Sequence, residues 1–435
     1  MSPTLAGLLG FILMVVLVLL SVNVCFAIII SGFVGLVMVI GLDPALSSLS
    51  IIAFERVTDY TFAVIPLFML MSAFIATSDI GRQAYEMSRA WLGHAKGGLA
   101  MATVGACALF AACTGSSMAG AIAFGKISYP EMKRYGYDSK LAVGTIAAGA
   151  TMGILIPPSM GFIIIGILTE ISIGKLFMAG IIPGILQMVF YIILIAILCR
   201  INPKLGPAGP KATTRQKIGS LKLTWPVMAL FILIIGGMYG GIFSATEAGA
   251  IGAFGALIIA LIQRQLTGRK FADCLLESAQ VTGMILALVI GAFIFKQFLA
   301  VSRIPFIFSE YIADMGINKY IILSLLVVVY IMLGAVFDIY AIILMTVPII
   351  FPIMSALGFD PVWFGVIMVR MMEVGDITPP FGFNLFALSG TLKDVKIDDL
   401  YRGIIPFFIT DIAHIVLLIA VPALSTFLPQ MMITR

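Results

Sequence analysis

The stretch Gly153-Ile154-Leu155-Ile156-Pro157-Pro158-Ser159 places two consecutive prolines inside a long apolar run. Proline lacks an amide donor and clashes with the preceding turn, so this spacing predicts a helix broken partway along. A second copy, Gly375-Asp376-Ile377-Thr378-Pro379-Pro380, lies far downstream. Lipid cannot hydrogen-bond the freed carbonyls, so such a break persists only where it is packed in protein or lines a polar cavity. A pair of interrupted spans at matching places in two halves is a pointer to a transporter's binding site.

Composition sets the medium. Of 435 residues, 61% are hydrophobic and 11% charged, and the mean hydropathy is +1.15, which reads as an all-α polytopic membrane protein. The 31 Phe and 25 Met suit lipid-facing and helix-packing surfaces. Five scattered cysteines without a CxxC pair read as buried thiols, not disulfides or metal ligands. The net charge of +5 resides in loops, where it reports topology and not nucleic-acid binding. Residues 1–20 have no basic leader and run into further apolar sequence, so they read as a retained span.

Along the chain, residues 5–20, 24–40 and 61–77 read as spans, with Asp43, Glu55, Arg56 and Asp59 in a mildly acidic loop before the third. Residues 81–97 form an amphipathic interfacial arm. Residues 98–125 are cut by Thr114-Gly115-Ser116-Ser117 and have basic residues on both flanks, which predicts a re-entrant hairpin; a single span with small packing residues is the alternative. The broken span covers 141–170, and 175–199 returns. Residues 200–224 carry Arg200, Lys204, Lys211, Arg215, Lys217 and Lys222 without an acid, a basic cytoplasmic linker. A helix pair follows over 225–264. The second half, 265–435, repeats the scheme: a span over 281–300, an arm over 303–318, a hairpin over 320–352, a broken span over 362–388, a charged loop over 393–402 and a last span over 404–427.

Residues 1–199 and 265–435 therefore read as two repeats. Pro379 follows Pro157, Gly375 follows Gly153 and Asp360 follows Asp138 by the same 222 positions. Counting crossings from the basic linker puts the first hairpin's mouth in the cytoplasm and the second's outside, so the repeats are expected to be inverted. Hairpin tips and unwound backbone would then meet near the midplane. Carbonyl oxygens and half-helix N-termini there can bind a hard cation and an anion together, and neutral oxygens suit Na⁺.

Individual side chains carry paired readings. Ser116 and Ser117 beside Gly115 offer hydroxyls at the first tip, or a packing seam. Gly334 and Asp338 occupy the equivalent place in the second hairpin, and an ionisable group at that depth is a functional candidate or is paired to a nearby amide. Arg370 and Glu373 stand at i and i+3, so Arg370 either forms a structural ion pair or offers its fork to a carboxylate or sulfonate. Asp411 and His414 share one helix face as packing partners, and Lys296 and Glu247 read as interfacial or paired. No nucleophile, nucleotide loop or metal motif is present in the sequence, so neither an enzyme nor an ATP-driven pump is expected.

The runs TGSS (114–117), GILIPPS (153–159), SIGKLFMAGIIPG (172–184) and ITPPFGFNLF (377–386) resemble the signatures of the large membrane subunit of TRAP transporters, the tripartite ATP-independent periplasmic systems. The resemblance implies an elevator-type, Na⁺-coupled importer of an organic anion (a C4-dicarboxylate, sialic acid, keto acid or sulfonate) in a bacterial inner membrane, with both termini periplasmic. It implies two partners: a small four-helix membrane subunit and a periplasmic substrate-binding protein. By motif, one Na⁺ site would use Thr114, Ser117, Gly153, Ile156 and Pro157, the other Gly334, Gly375, Thr378 and Phe381. Ser116, Ser159, Asp338, Arg370 and Asn384 are the candidate substrate contacts. Thr114 stands where a serine is common, and Arg370 and Asp376 where apolar residues are common. A self-sufficient ion antiporter or anion exchanger is the alternative; it would need a titrating pair from Asp338, Arg370 or Asp376. A channel or passive scaffold fits worst, because pore-lining polarity is not continuous.

Overall fold

Asp138 opens the helix that the rest of the molecule encloses: its carboxylate accepts from the amides of Lys140 at 2.9 Å and Leu141 at 3.3 Å, satisfying donors that a helix start leaves free. The computed structural model describes residues 2–314 and 316–432; Met1, Met315 and residues 433–435, and with them both chain ends and part of the expected second arm, lie outside the described residues.

Among the described residues the regular structure is all helical. First come α1 (Pro3–Leu19), α2 (Val24–Ile40), α3 (Leu42–Thr58), a 3-10 turn at Tyr60–Ala63, and α4 (Val64–Thr77). Then follow the arm α5 (Ile80–Leu92), the hairpin α6 (Gly98–Thr114) and α7 (Ser117–Arg134), the broken pair α8 (Ser139–Leu155) and α9 (Met160–Thr169), and the long return α10 (Ile173–Ile201). The middle holds α11 (Thr214–Tyr239) and α12 (Ala245–Ile262). The remainder is α13 (Gly268–Ser302), the arm α14 (Ile304–Asp314), the hairpin α15 (Lys319–Gly334) and α16 (Ile339–Ala356), the broken pair α17 (Pro361–Asp376) and α18 (Phe383–Thr391), α19 (Ile397–Ala420) and α20 (Ala423–Met431). Counting α8 with α9, seven or eight of these segments are long and apolar enough to cross a membrane.

α8 is buried along its length and packs against α6, α7, α17, α18 and α19. Small residues permit this approach. A Cβ on Gly144 would lie 2.2 Å from the Gly403 carbonyl oxygen, and one on Gly403 would lie 2.2 Å from that of Lys140, so α8 and α19 touch backbone to backbone.

Both broken spans and both two-helix hairpins are present, and α17 starts 222 residues after α8. Other boundaries differ from the sequence reading. Residues 42–58, expected as an acidic loop, are helical; Asp43 in the first turn and Arg56 in the last both complement the helix dipole. The linker is irregular only to Thr213, where a capping box with Gln216 starts α11 inside the basic stretch. The span placed at 281–300 is the C-terminal part of the 35-residue α13, which starts at the Thr267 cap. The first turns of α19 absorb part of the 393–402 loop, and at the other end the last span stops at Ala420, ahead of Pro422, before resuming as α20. All five cysteines are free, four of them buried.

Candidate functional site

The first hairpin turns at Gly115, whose φ of +60° lies in the left-handed region that glycine adopts without steric cost. Ser116 then caps α7, accepting from the Ala119 amide at 3.3 Å. The hydroxyl of Thr114 donates to the Phe110 carbonyl at 3.0 Å, and the Thr114 carbonyl accepts from Ser72 on α4 at 2.8 Å. This tip is pressed onto the break between α8 and α9. A Cβ on Gly115 would lie 2.6 Å from the Pro158 carbonyl oxygen, and one on Gly153 would lie 2.8 Å from the Ser116 carbonyl. Thr114, Ser116, Ser117, Gly153 and the Ile156-Pro157-Pro158 turn are therefore assembled in one place.

Ser159 holds the two cut ends together: its hydroxyl donates to the Ile154 carbonyl and accepts from the Phe162 amide, serving an orphan acceptor of α8 and an orphan donor of α9. It is fully buried and makes these contacts within its own motif.

The second tip and break mirror this contact. A Cβ on Gly375 would lie 2.5 Å from the Cα of Gly334, and the Gly382 amide donates to the Ala335 carbonyl at 3.4 Å. Thr378 donates its hydroxyl to the Val374 carbonyl at 2.6 Å, which also accepts from the Ile377 amide at 3.3 Å. Asp338 caps α16 through the Tyr340 amide at 3.0 Å. Phe381 is more than half exposed and stands at the rim. The Pro157-Pro158 and Pro379-Pro380 bonds are both cis.

A side-chain contact links the first tip to the second break. Ser117 of the first tip donates to the Asp376 carboxylate of the second break at 2.9 Å, and both residues are buried. The two tips and two breaks thus form one connected polar region inside an apolar body, rich in peptide carbonyls and with two carboxylates at its centre. Asn384 on α18 reaches it from the side, donating to the Ala147 carbonyl at 3.5 Å, with its own Oδ1 buried and unpartnered among the described residues.

Arg370 lies elsewhere and is fully enclosed. Its Nη1 donates to Glu373 at 2.9 Å, its Nη2 to Asp411, and its Nε to His414 Nδ1 at 2.9 Å. Arginine can only donate, so Nδ1 is the unprotonated nitrogen of His414. Tyr191 donates to the same Asp411, and Gln187 donates to both Tyr191 and Thr151 at 3.1 Å. This network ties α8, α10, α17 and α19 together. The guanidinium makes the ion pair that was the alternative to substrate contact, with a second carboxylate added.

Outside the spans, Lys133 at the foot of α7 pairs with Asp394 beyond α18. The hydrogen bond from Lys133 holds the Asp394 carboxyl below its ordinary range, and the same bond raises the lysine. Lys296 on α13 reaches Glu170 at 3.2 Å and the Leu168 carbonyl at 3.1 Å. Glu247 completes the capping box of α12, accepting from the Ser244 amide at 2.7 Å.

The first break is packed in protein, whereas Pro379, Pro380 and Phe381 of the second are exposed. The cavity of about 360 Å³ beside Ile156 is lined by apolar residues of α6, α10 and α11 and is not a polar vestibule. The residues that sequence reading left off the site are Asp376 and Ser72; Asp376 is legible as a charge inside a span, Ser72 only through the fold.

Two solved transporters share the fold at low sequence identity. The Alcanivorax borkumensis YdaH transporter is 15% identical with a TM-score of 0.61, covering 90% of this chain and 88% of that one. Neisseria gonorrhoeae MtrF, an antimetabolite efflux pump, is 13% identical with a TM-score of 0.63, covering 89% and 85%. A family profile described as tripartite ATP-independent periplasmic transporter, DctM component, matches residues 11–424. This chain belongs to the TRAP transporter large-subunit family. Within the family it is 35% identical over 401 residues to the Pseudomonas aeruginosa C4-dicarboxylate large permease protein DctM, covering 92% of this chain and 93% of the relative. It is 33% identical to the Oleidesulfovibrio alaskensis isethionate permease protein DctMQ, covering 86% of this chain and 59% of that longer one. It is 29% identical to the Vibrio cholerae sialic acid large permease protein SiaM, covering 86% and 87%. The TRAP motifs read from the sequence thus identified the family correctly.

Proposed function

We infer that this TRAP large subunit carries a small organic anion across a bacterial inner membrane, driven by Na⁺ and working with a small membrane subunit and a periplasmic binding protein. The observation that carries this reading is the meeting of two hairpin tips with two helix breaks in one polar region, where peptide oxygens can replace a cation's hydration shell. Thr114, Ser117, Gly153, Ile156 and Pro157 supply one set of oxygens; Gly334, Gly375, Thr378 and Phe381 supply the other. Relatives named for C4-dicarboxylates, isethionate and sialic acid all handle organic anions, which supports the substrate class. Ser116, Asp338 and Asn384 are its nearest candidate contacts. Ser159 and Arg370 are left out, because their polar atoms are engaged by internal partners.

The two halves, 1–199 and 265–435, act as inverted repeats joined by the 200–224 linker and the 225–264 helix pair. The hairpins and broken helices move as one elevator body past the remaining helices. The arms α5 and α14 connect body and scaffold, and both termini face the periplasm.

Proteoliposomes containing this chain and both partners test the reading. Uptake of a labelled organic acid is expected only with an inward Na⁺ gradient and with all three components present. Equal uptake in choline medium, or by this chain alone, would overturn it in favour of a self-sufficient exchanger.

A further inference from the structure

Asp376 is assigned no role by the two sets of oxygens, yet its side chain joins them. It follows Gly375 and precedes Thr378, so its Cα belongs to the second break, while its carboxylate accepts from Ser117 of the first tip at 2.9 Å. We propose that Asp376 is a positioning residue that couples the two cation sites, so that an ion bound at one prepares the other; this rests on the cation sites of the preceding section.

A serine hydroxyl has one hydrogen and two lone pairs. With the hydrogen held by Asp376, both lone pairs of Ser117 stay available to a cation at the first site. Without that acceptor the hydroxyl rotates, and its hydrogen can face the cation. A hydrogen bond to a carboxyl oxygen in a buried site is strong enough to fix the rotor. In the other direction, a cation drawing in the Gly375 and Thr378 oxygens fixes the backbone that carries Asp376, and through it Ser117. The equivalent position of the first half, 222 residues earlier, is the apolar Ile154, so only the second break sends a carboxylate across. Coupling between two such sites is typically worth a factor of about 5–150 in affinity and gives a Hill coefficient above one, with roughly two as its ceiling.

Saturation binding of ²²Na⁺ to the purified full-length chain, against choline at constant ionic strength, tests this. The wild type is expected to bind with a Hill coefficient above one. D376A is expected to lower it to about one and to raise the half-saturating concentration about tenfold. D376N, whose amide oxygen still accepts from Ser117, is expected to keep the steepness. D376E, which retains the charge but moves the acceptor by a methylene, is expected to lose it, and it decides the matter where D376A does not fold. Wild-type steepness in D376A or D376E, or its loss in D376N, would overturn the coupling while leaving the two sites standing. A wild type without saturable Na⁺ binding would overturn the sites and the coupling together.

Discussion

Gly334 and Gly375 meet backbone to backbone: a methyl group added to Gly375 would lie 2.5 Å from the Cα of Gly334, and one added to Gly334 would lie 2.8 Å from the Cα of Gly375. The second hairpin tip therefore has no room for any side chain where it seats on the second break. Because the obstructing atoms are backbone, rotamer changes cannot relieve the clash.

Gly375→Ala should consequently lower stability by about 1–3 kcal/mol, the usual range for overpacking, and Gly334→Ala should do nearly the same. Thermal unfolding of the purified chain measures the first effect and partner-dependent uptake the second, which is expected to fall sharply. A G375A protein that melts and transports like the parent would contradict the contact.

Ser159 makes a more local claim. It serves both cut ends of the first broken helix, so Ser159→Ala leaves the Ile154 carbonyl and the Phe162 amide without that partner in a fully buried place. The expected cost is about 1–3 kcal/mol, larger than that of Ser116→Ala, where one partly buried amide loses its cap and the cost is about 1 kcal/mol. Unfolding midpoints for the two variants in one detergent give the comparison, and the reverse order would contradict the assignment.

Arg370 faces two buried carboxylates, and Arg370→Met strands both. Breaking a buried ion pair from one side costs about 3–5 kcal/mol, so R370M should accumulate poorly and elute as aggregate. Neutralising the carboxylates as well, in R370M/E373Q/D411N, should recover part of the loss, because no uncompensated charge then remains. Size-exclusion profiles at matched expression report both results. An R370M chain as well folded as the parent would show that the network does not hold α17 to α19.

Lys296 and Glu170 give the contrasting case of an exposed pair. Glu170 is 76% and Lys296 38% exposed at the side chain, and ion pairs in such positions contribute about 0–1 kcal/mol. Glu170→Gln should shift the unfolding midpoint little, and a large drop would mean that this end of α9 is held more firmly than its exposure suggests.

What the sequence disclosed follows from the range of each interaction. The Pro157-Pro158 and Pro379-Pro380 breaks and the Gly115 tip were legible because proline and glycine act on their own backbone. α3 was missed because Asp43, Glu55 and Arg56 resemble loop composition, although Asp43 in the first turn and Arg56 in the last are what the helix dipole favours. The start of α11 was legible in Thr213 and Gln216, and the interruption before α20 in Pro422. Glu373 was visible as a partner of Arg370 at i+3, whereas Asp411, His414, Tyr191 and Gln187 complete the network only through tertiary packing. The bond from Ser117 to Asp376 joins residues 259 apart and has no local signature.

The most direct measurement is a pair of cryo-EM maps of the assembled transporter, one in sodium buffer and one in choline. Two ion densities should be present in sodium and missing in choline, one among Thr114, Ser117, Gly153, Ile156 and Pro157, the other among Gly334, Gly375, Thr378 and Phe381. Identical maps at both places would contradict the account.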